Sequence, residues 1–496
     1  MSPKRLSFLF LFCVFLLPFC SQASEWSQFR GPDGSGVAVS GHPPISLNVD
    51  SNLKWKTAVS KGHSSPIQFG ERLILSGSDG KDQITYAINI EDGSIAWENR
   101  ITVEEVEKHH NTNNAAPSTP VTDGNWVYVY HPSFGLVAYD YEGAEQWRKP
   151  LPIVKTPRNQ GSGSSPVLAG DLLIIDRQLG KDTHLLAVNK KDGSEVWKAP
   201  RPLNAWSFST PVIFEEDGNS MIGMAGSGSF IAYSLFDGEQ RWWVTGLATQ
   251  ICSSPVFVNG ILYISSSGAQ GDDTNTTSPP DWDEIIGEWD TNKDGILAIE
   301  EIPNDILVTD RKTSDGAGNF RLRGMASFFY KDLAEDGYTK AEWAEMREKS
   351  HNFLKGSLNR PVMVAVRPGG KGDVSDTHVL WRESKRIPEI PSPVVYENRV
   401  YNIRSGGILN CRNAETGETI YDKHIDAPGG YFASPVVANG NLYVASDRGE
   451  VSVIRTGDEF EVISKSELSE SIAASPAIVA NTIFFRSASN LWAFSN

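Results

Sequence analysis

One short stretch of this chain has side chains spaced for metal chemistry. Asp290, Asn292 and Asp294 place oxygen-bearing groups at alternate positions, Gly295 follows, and Glu301 closes the run. A hard cation such as Ca²⁺ takes six to eight oxygen ligands at about 2.3–2.6 Å. A loop of this spacing supplies them from alternate side chains, one backbone carbonyl (here that of Ile296) and a terminal carboxylate that uses both oxygens. Gly295 permits the sharp turn. Ala298 has no oxygen to offer, so a water is expected in its place.

The run satisfies the EF-hand loop pattern D-x-[DN]-x-[DN]-G-x5-E at every required position. Such loops work between helices. A helix is expected over 281–289, capped by Asp281, and another over 340–353. Loops of this kind also come in pairs, and 328–343 has the look of a partner. It departs twice: Ala334 stands where a ligand is required, and Glu342 falls one residue early when the loop is counted from Asp332. A structural second hand with weak or absent metal binding is expected over 332–343. The polar, proline-bounded stretch 271–280 reads as a linker, so residues 270–356 form an inserted helical module.

The rest of the chain is built from a different unit. Residues 164–197 contain four β-rich runs separated by turn residues, the pattern of a four-stranded antiparallel meander. A small-residue–Pro opening recurs at Pro66, Pro120, Pro166, Pro211, Pro255, Pro393, Pro435 and Pro476. Most successive openings are 41 to 54 residues apart, and the one gap of 138 contains the inserted module. A period in the forties with four strands per unit predicts β-propeller blades. The expected fold is therefore all-β, an eight-bladed propeller of four-stranded antiparallel blades with a small α-helical insertion in blade five. Its N-terminal part spans 24–266, with blades one to five, and its C-terminal part 359–496, with the remainder of blade five and blades six to eight.

The end of each unit repeats more closely. Ala187, Asn189, Asp192, Gly193 and Trp197 recur as Ala87, Asn89, Asp92, Gly93 and Trp97. Looser copies are Ala138, Asp140, Gly143 and Trp147, then Ala232, Asp237, Gly238 and Trp242, then Cys411, Asn413, Gly417 and Tyr421. Glycine allows a turn with positive φ and the carboxylate or amide caps it. The small residue is expected to make room for a tryptophan ring from a neighbouring blade. This pattern resembles the tryptophan-docking repeat of the quinoprotein-like β-propellers, over about 350 of the 496 residues. That superfamily includes dehydrogenases that use pyrroloquinoline quinone (PQQ) and a scaffold lipoprotein of outer-membrane barrel assembly, so the resemblance implies the fold and leaves the function open.

The two ends of the repeat array complement each other. Residues 52–59, with Trp55, read as a fourth strand lacking the first three. Residues 475–494 supply three strands, with Ala493 in the small-residue slot, and lack a fourth. The N-terminal strand is expected to complete the last blade and leave no free sheet edge. Before it, Trp26 and Phe29 in the stretch 25–34 are expected to pack as a plug or strap.

Lys4 and Arg5 precede an apolar run over 6–19, too short to span a bilayer, and Ser21-Gln22-Ala23 fits a small-x-small cleavage site. A signal peptide over 1–23 and export to the periplasm or cell exterior are expected. Lipid attachment at Cys20 is disfavoured by the bulky Phe19. No later stretch is expected to be transmembrane. The chain carries a net charge of −16, and losing Lys4 and Arg5 makes it more acidic still. That composition excludes nucleic acid as a partner, because phosphates demand a basic surface. A monomer is expected. Beyond the leader, Cys411 sits in a small-residue slot and Cys252 precedes the blade-five opening, and free thiols are expected at both.

Residues just ahead of the Pro openings should ring one mouth of the channel. They include His63, His109, His110, Asn113, Asn114, Arg158, Asn159, Gln160, Trp206 and Tyr431. Such groups either bind a small molecule or peptide or satisfy one another around the axis. His109 and His110 make a poor metal pair, since adjacent side chains on a strand point apart and no third ligand is spaced to join them. Two functions are open. One is an exported, calcium-binding propeller that binds or scaffolds a protein, peptide or small ligand at its face. The other is a PQQ-dependent dehydrogenase of alcohols or sugars. The resemblance implies, for the dehydrogenases, adjacent cysteines beside the cofactor and an active-site calcium held by Glu, Asn and Asp. No Cys-Cys pair and no CxxCH haem motif occurs here. PQQ is therefore not expected, and the binding protein is the preferred reading.

Overall fold

The computed structural model describes residues 26–154, 156, 159–178, 182–201, 207–226, 228–248, 250–267, 274–311, 321–333, 336–357 and 361–496. The leader region 1–23, Cys20, Arg158, Trp206 and Ala334 lie outside the described residues. The strands form an eight-bladed propeller. Blade three shows the plan: Val167–Ala169, Leu172–Arg177, His184–Asn189 and Glu195–Pro200 hydrogen-bond in that order, each antiparallel to the next. Its middle strands are buried along nearly their whole length, whereas the outermost alternates exposed and buried residues. Middle strands are covered on both sheet faces by neighbouring blades and so read as continuous apolar runs. The core is the set of clefts between blades, as where Ile174 and Leu185 of blade three meet Ile222 and Tyr233 of blade four.

Blade eight takes its outermost strand from the other end of the chain. Leu53–Ala58 runs antiparallel to Asn490–Ser495, with Trp55 opposite Ala493. Closure of this kind gives the last blade its fourth strand and ties the two ends of the repeat array together. Ahead of that strand, the N-terminal segment laces the inner strands. The Trp26 carbonyl accepts from Gln68 N in blade one, the Ser27 carbonyl from Thr122 N in blade two, and Val37–Ala38 adds in parallel to Val436–Ala438 of blade seven. Trp26 is fully buried, with its ring lying against Gly31.

The docking repeat works differently from the sequence expectation in one respect. The small residue does not receive a neighbouring blade's ring. It stands across the strand pair from the aromatic of its own blade, Ala87 opposite Trp97, Ala187 opposite Trp197 and Cys411 opposite Tyr421. The ring then reaches the next blade and lies on that blade's glycine. A Cβ on Gly193 would come within 2.8 Å of the Trp147 ring, and one on Gly238 within 2.7 Å of Trp197. The indole N–H donates to a carbonyl in the same turn: Trp55 to Ile90, Trp147 to Lys190, Trp197 to Leu235 and Trp381 to Ala414, all at 2.9–3.0 Å. The reason is geometric. A ring projecting from the outermost strand must cross its own sheet over a short side chain, then lie flat on a turn that has no Cβ. Burying each such ring is worth about 4–6 kcal/mol as an upper bound. Trp242 departs from the pattern and donates to Glu216 Oε2 at 2.7 Å. Blade five's corresponding connection is longer, and its Gly372–Asp373 pairs in parallel with Trp242 and Trp243 of blade four.

The insertion leaves blade five between its second and third strands, Ile261–Ser266 and Val362–Val366, where Ser266 and Val362 are direct partners. A short ladder joins Thr274–Thr276 to Thr309–Arg311. Helices α1 (Trp282–Trp289), α2 (Leu322–Leu333) and α3 (Lys340–Ser357) follow. The Asp281 N–H bonds Glu284 Oε2 at 3.1 Å, which fixes the start of α1. These elements enclose their own core of Ile285, Trp289, Leu297, Met325, Tyr338, Trp343 and Met346. Among the described residues no helix is long and apolar enough to cross a membrane.

Candidate functional site

Two places gather polar groups. The first is the loop between α1 and the short 3₁₀ turn Ile299–Glu301. Its backbone closes as the spacing demands, with Gly295 at φ +81° and its N–H bonded to Asp290 Oδ2 at 2.9 Å. Asn292 Oδ1 accepts from Asp294 N, and Asp294 Oδ1 from Ile296 N. Glu301 is turned onto the loop's own backbone and side chains. Its Oε1 accepts from Thr291 N and Oγ1 at 2.9 and 2.7 Å, and its Oε2 from Ala298 N at 3.0 Å. Bonding from Thr291 above all lowers the Glu301 pKa. Asp290 is 8% exposed, and its Oδ1 has no hydrogen-bond partner. The donor set has the chemistry a calcium ion needs, with one orphaned carboxylate oxygen already buried. The carboxylates are not drawn into one cluster, because Glu301 is committed to amide donors. An ion must compete with those donors for it.

The second loop pairs with the first in a register that alters the sequence reading. Leu297 and Tyr338 exchange backbone hydrogen bonds at 2.8 and 2.9 Å. Thr339 N donates to Glu342 Oε2, as Ala298 N does to Glu301 Oε2. Glu342 thus corresponds to Glu301, and the one-residue offset disappears. The loop is counted from Lys331, which puts Lys331 and Leu333 where the first loop has Asp290 and Asn292. Neither residue is an oxygen ligand of the kind calcium takes from a side chain.

The second place is the central channel. Each blade's innermost strand opens on a Ser or Thr just before its proline, at Ser65, Thr119, Ser165, Thr210, Ser254, Ser392, Ser434 and Ser475. These residues form a belt. The N–H of each donates to the hydroxyl of the next blade's residue at 2.9–3.1 Å, seven times in succession from Ser65 to Ser475. The eighth bond, from blade eight back to blade one, is not made. Buried Arg486 spans that seam instead, donating to the carbonyls of Ser60, Ser64 and Ser76 at 2.6–2.9 Å. The belt walls a cavity of about 240 Å³. The N-terminal segment bonds farther along the inner strands, and its Phe29 lines the cavity. The residues that begin these strands line it as well, with His63, His110, Asn113, Gln160, Phe208, Gln250, Cys252 and Phe432. No Asp, Glu, Lys or Arg lines the cavity among the described residues.

Of the channel residues singled out in the sequence, His63, His110, Asn113 and Gln160 line this space. His109 is exposed outside the lining, and its Nδ1 lies 3.2 Å from the His110 carbonyl. Asn114 caps a turn instead, accepting from Ala116 N at 2.8 Å. Tyr431 is core, 2% exposed, with its hydroxyl on the Ala427 carbonyl, and its neighbour Phe432 faces the channel in its place. The belt itself was missed, although a hydroxyl residue before all eight prolines was a signal available in the sequence. Burial, with Arg486 and His109 adding to it, pushes the His63 pKa down to about 4, so the ring is neutral. Burial pushes the Cys252 thiol up to about 12, which makes it a poor nucleophile. Cys252 and Cys411 are both free.

The fold has known counterparts. A family model described as outer membrane protein assembly factor BamB matches residues 33–152 and 104–314. BamB from Moraxella catarrhalis is similar in structure at 13% identity and a TM-score of 0.52, over 90% of this chain and 99% of that one. A europium-containing methanol dehydrogenase is similar at 9% identity and a TM-score of 0.51, over 96% and 99%. So is the computationally designed Ika8 protein, at 8% identity and a TM-score of 0.52, over 90% and 100%. No curated protein sequence matches the chain. At these identities the likenesses speak for the fold alone.

Proposed function

Since this chain belongs to the PQQ-like propeller family described as outer membrane protein assembly factor BamB, we propose that it is an exported binding or scaffold protein. Its partner is a protein, peptide or small ligand held at the mouth of the channel. The observation that carries this reading is the channel: lined by Phe29, belted by hydroxyls, and ringed by uncharged polar and aromatic side chains. Such a mouth suits a small polar group or chain end entering from outside. The channel's cysteine, Cys252, is flanked by Ile251 and Ser253, which disfavours a quinone site of the adjacent-cysteine kind. The insertion adds an EF-hand calcium site on Asp290, Asn292, Asp294, the Ile296 carbonyl and Glu301. Its orphaned Asp290 Oδ1 supports that assignment.

Two measurements test this. Random displayed peptides panned on the mature chain, residues 24–496, should enrich sequences whose binding is lost in Phe432→Asp and retained in a distant surface variant. Failure to enrich any removes the peptide from that reading, and PQQ retained stoichiometrically through gel filtration with dye-linked alcohol oxidation overturns the binding-protein reading. For calcium, calorimetric titration should find one ion with Kd of about 10⁻⁴–10⁻³ M. Asp290→Ala and Glu301→Gln should abolish it and Asp336→Ala leave it nearly intact. Binding that survives Glu301→Gln would reject the site.

A further inference from the structure

The belt hydroxyls are half-used. Each carries one hydrogen and two lone pairs. In seven of them a lone pair accepts an N–H from the preceding blade. None donates its hydrogen to a protein acceptor among the described residues. The eighth, Ser65, is 1% exposed, lines the cavity, and has no partner for its Oγ. The belt therefore presents O–H donors, seven of them polarised by the N–H they accept.

Two buried cations lie behind it, outside the cavity lining, and bond backbone next to belt residues. Arg486 spends its guanidinium on the carbonyls of Ser60, Ser64 and Ser76, and Arg30 on those of Pro393 and Ser35. Ser64 and Pro393 adjoin the belt residues Ser65 and Ser392. Neither arginine has a carboxylate within ion-pair distance among the described residues, and Asp33 acts on Arg30 only from farther away. Burial lowers both pKa values to about 9, so both groups are charged at neutral pH. A buried charge without a counter-ion costs several kcal/mol. The acidic exterior does little to oppose an anion here, because exposed charges are screened beyond about 8 Å at physiological ionic strength.

We propose that the belt binds a compact oxyanion, the counter-charge to Arg30 and Arg486, held by its hydroxyls. This rests on the binding-protein reading and names what the channel grips. The oxyanion is either a free small ion or the terminal carboxylate of a partner peptide. The test titrates the mature chain by calorimetry with inorganic phosphate, succinate, a tripeptide acid and its amide. At least one oxyanion should bind with unit stoichiometry. Ser254→Ala and Thr119→Val should weaken it about tenfold each, the loss of one hydrogen bond to a charged group, with melting temperatures close to wild type. Binding of the tripeptide acid alone assigns a chain end, and of phosphate or succinate alone a free ion. No binding by any oxyanion, or binding unchanged in both variants, overturns the proposal. If the amide binds as tightly as the acid, the oxyanion is wrong while the binding-protein reading stands. If oxyanions bind while displayed peptides fail to enrich, the peptide-binding reading falls instead.

Discussion

Burial holds two histidines unprotonated, and that sets a pH dependence at the scale of single residues. His63 and His131 both have pKa values lowered to about 4, chiefly by desolvation. His131 is fully buried, with Nε2 3.1 Å from Thr85 Oγ1. The unfolded chain binds these protons near the ordinary histidine pKa of about 6.5. Between about 6.5 and 4 the unfolded state therefore holds more protons than the folded one, and stability falls as pH falls. Glu107, raised by burial, acts in the opposite sense above its ordinary pKa. The melting temperature should drop steadily across pH 6.5 to 4, and His131→Gln should flatten that limb. A variant with the wild-type slope would show that other groups carry it. Neither histidine's burial is legible from its neighbours in sequence. His63 was singled out by its place ahead of a proline, and its neutral state comes chiefly from burial, with a smaller contribution from Arg486, 423 positions away.

At the scale of the element, the strand Leu53–Ala58 belongs by sequence to the start of the chain and by hydrogen bonding to its end. It also brings Trp55 to Gly93, so one strand completes blade eight and docks blade one. Trp55→Ala should cost about 3–5 kcal/mol in denaturant unfolding. Deleting residues 24–60 should abolish the cooperative transition, because it also removes Trp26 and the lacing of blades one, two and seven. A deletion that melts like the intact chain would mean that the ring closes without its strap. The strand was legible because a docking tryptophan without three preceding strands can only be a completing piece. The docking direction was not. Spacing alone pairs Ala87 with some tryptophan, and only the cross-strand register assigns it Trp97 and hands Trp55 to Gly93.

At the scale of the whole molecule, the insertion and the propeller have separate cores. Ser266 and Val362 face each other across one ladder, so the chain leaves and re-enters blade five at nearly the same point. Replacing residues 268–360 by a two-residue Asn-Gly turn should leave the propeller's melting temperature within a few degrees. It should also remove calcium binding. A collapse of the propeller on excision would show that the insertion braces blades four and five.

The sequence by itself determined the repeat, the number of blades and the strand borrowed for closure. Each of these is written in local periodicity and in turn residues whose backbone demands are intrinsic. It also marked the acidic loop 290–301 as the place to test for calcium, because a loop of that pattern draws its oxygen groups from neighbours in the chain. The belt, the unclosed seam spanned by Arg486, the place of Phe29 in the cavity lining and the register that aligns Glu342 with Glu301 were decided only by the tertiary structure. Each depends on residues from distant blades or paired loops meeting at one place. A serine or threonine before a proline is unremarkable in one repeat, and it becomes part of a belt only when eight such residues are brought around an axis.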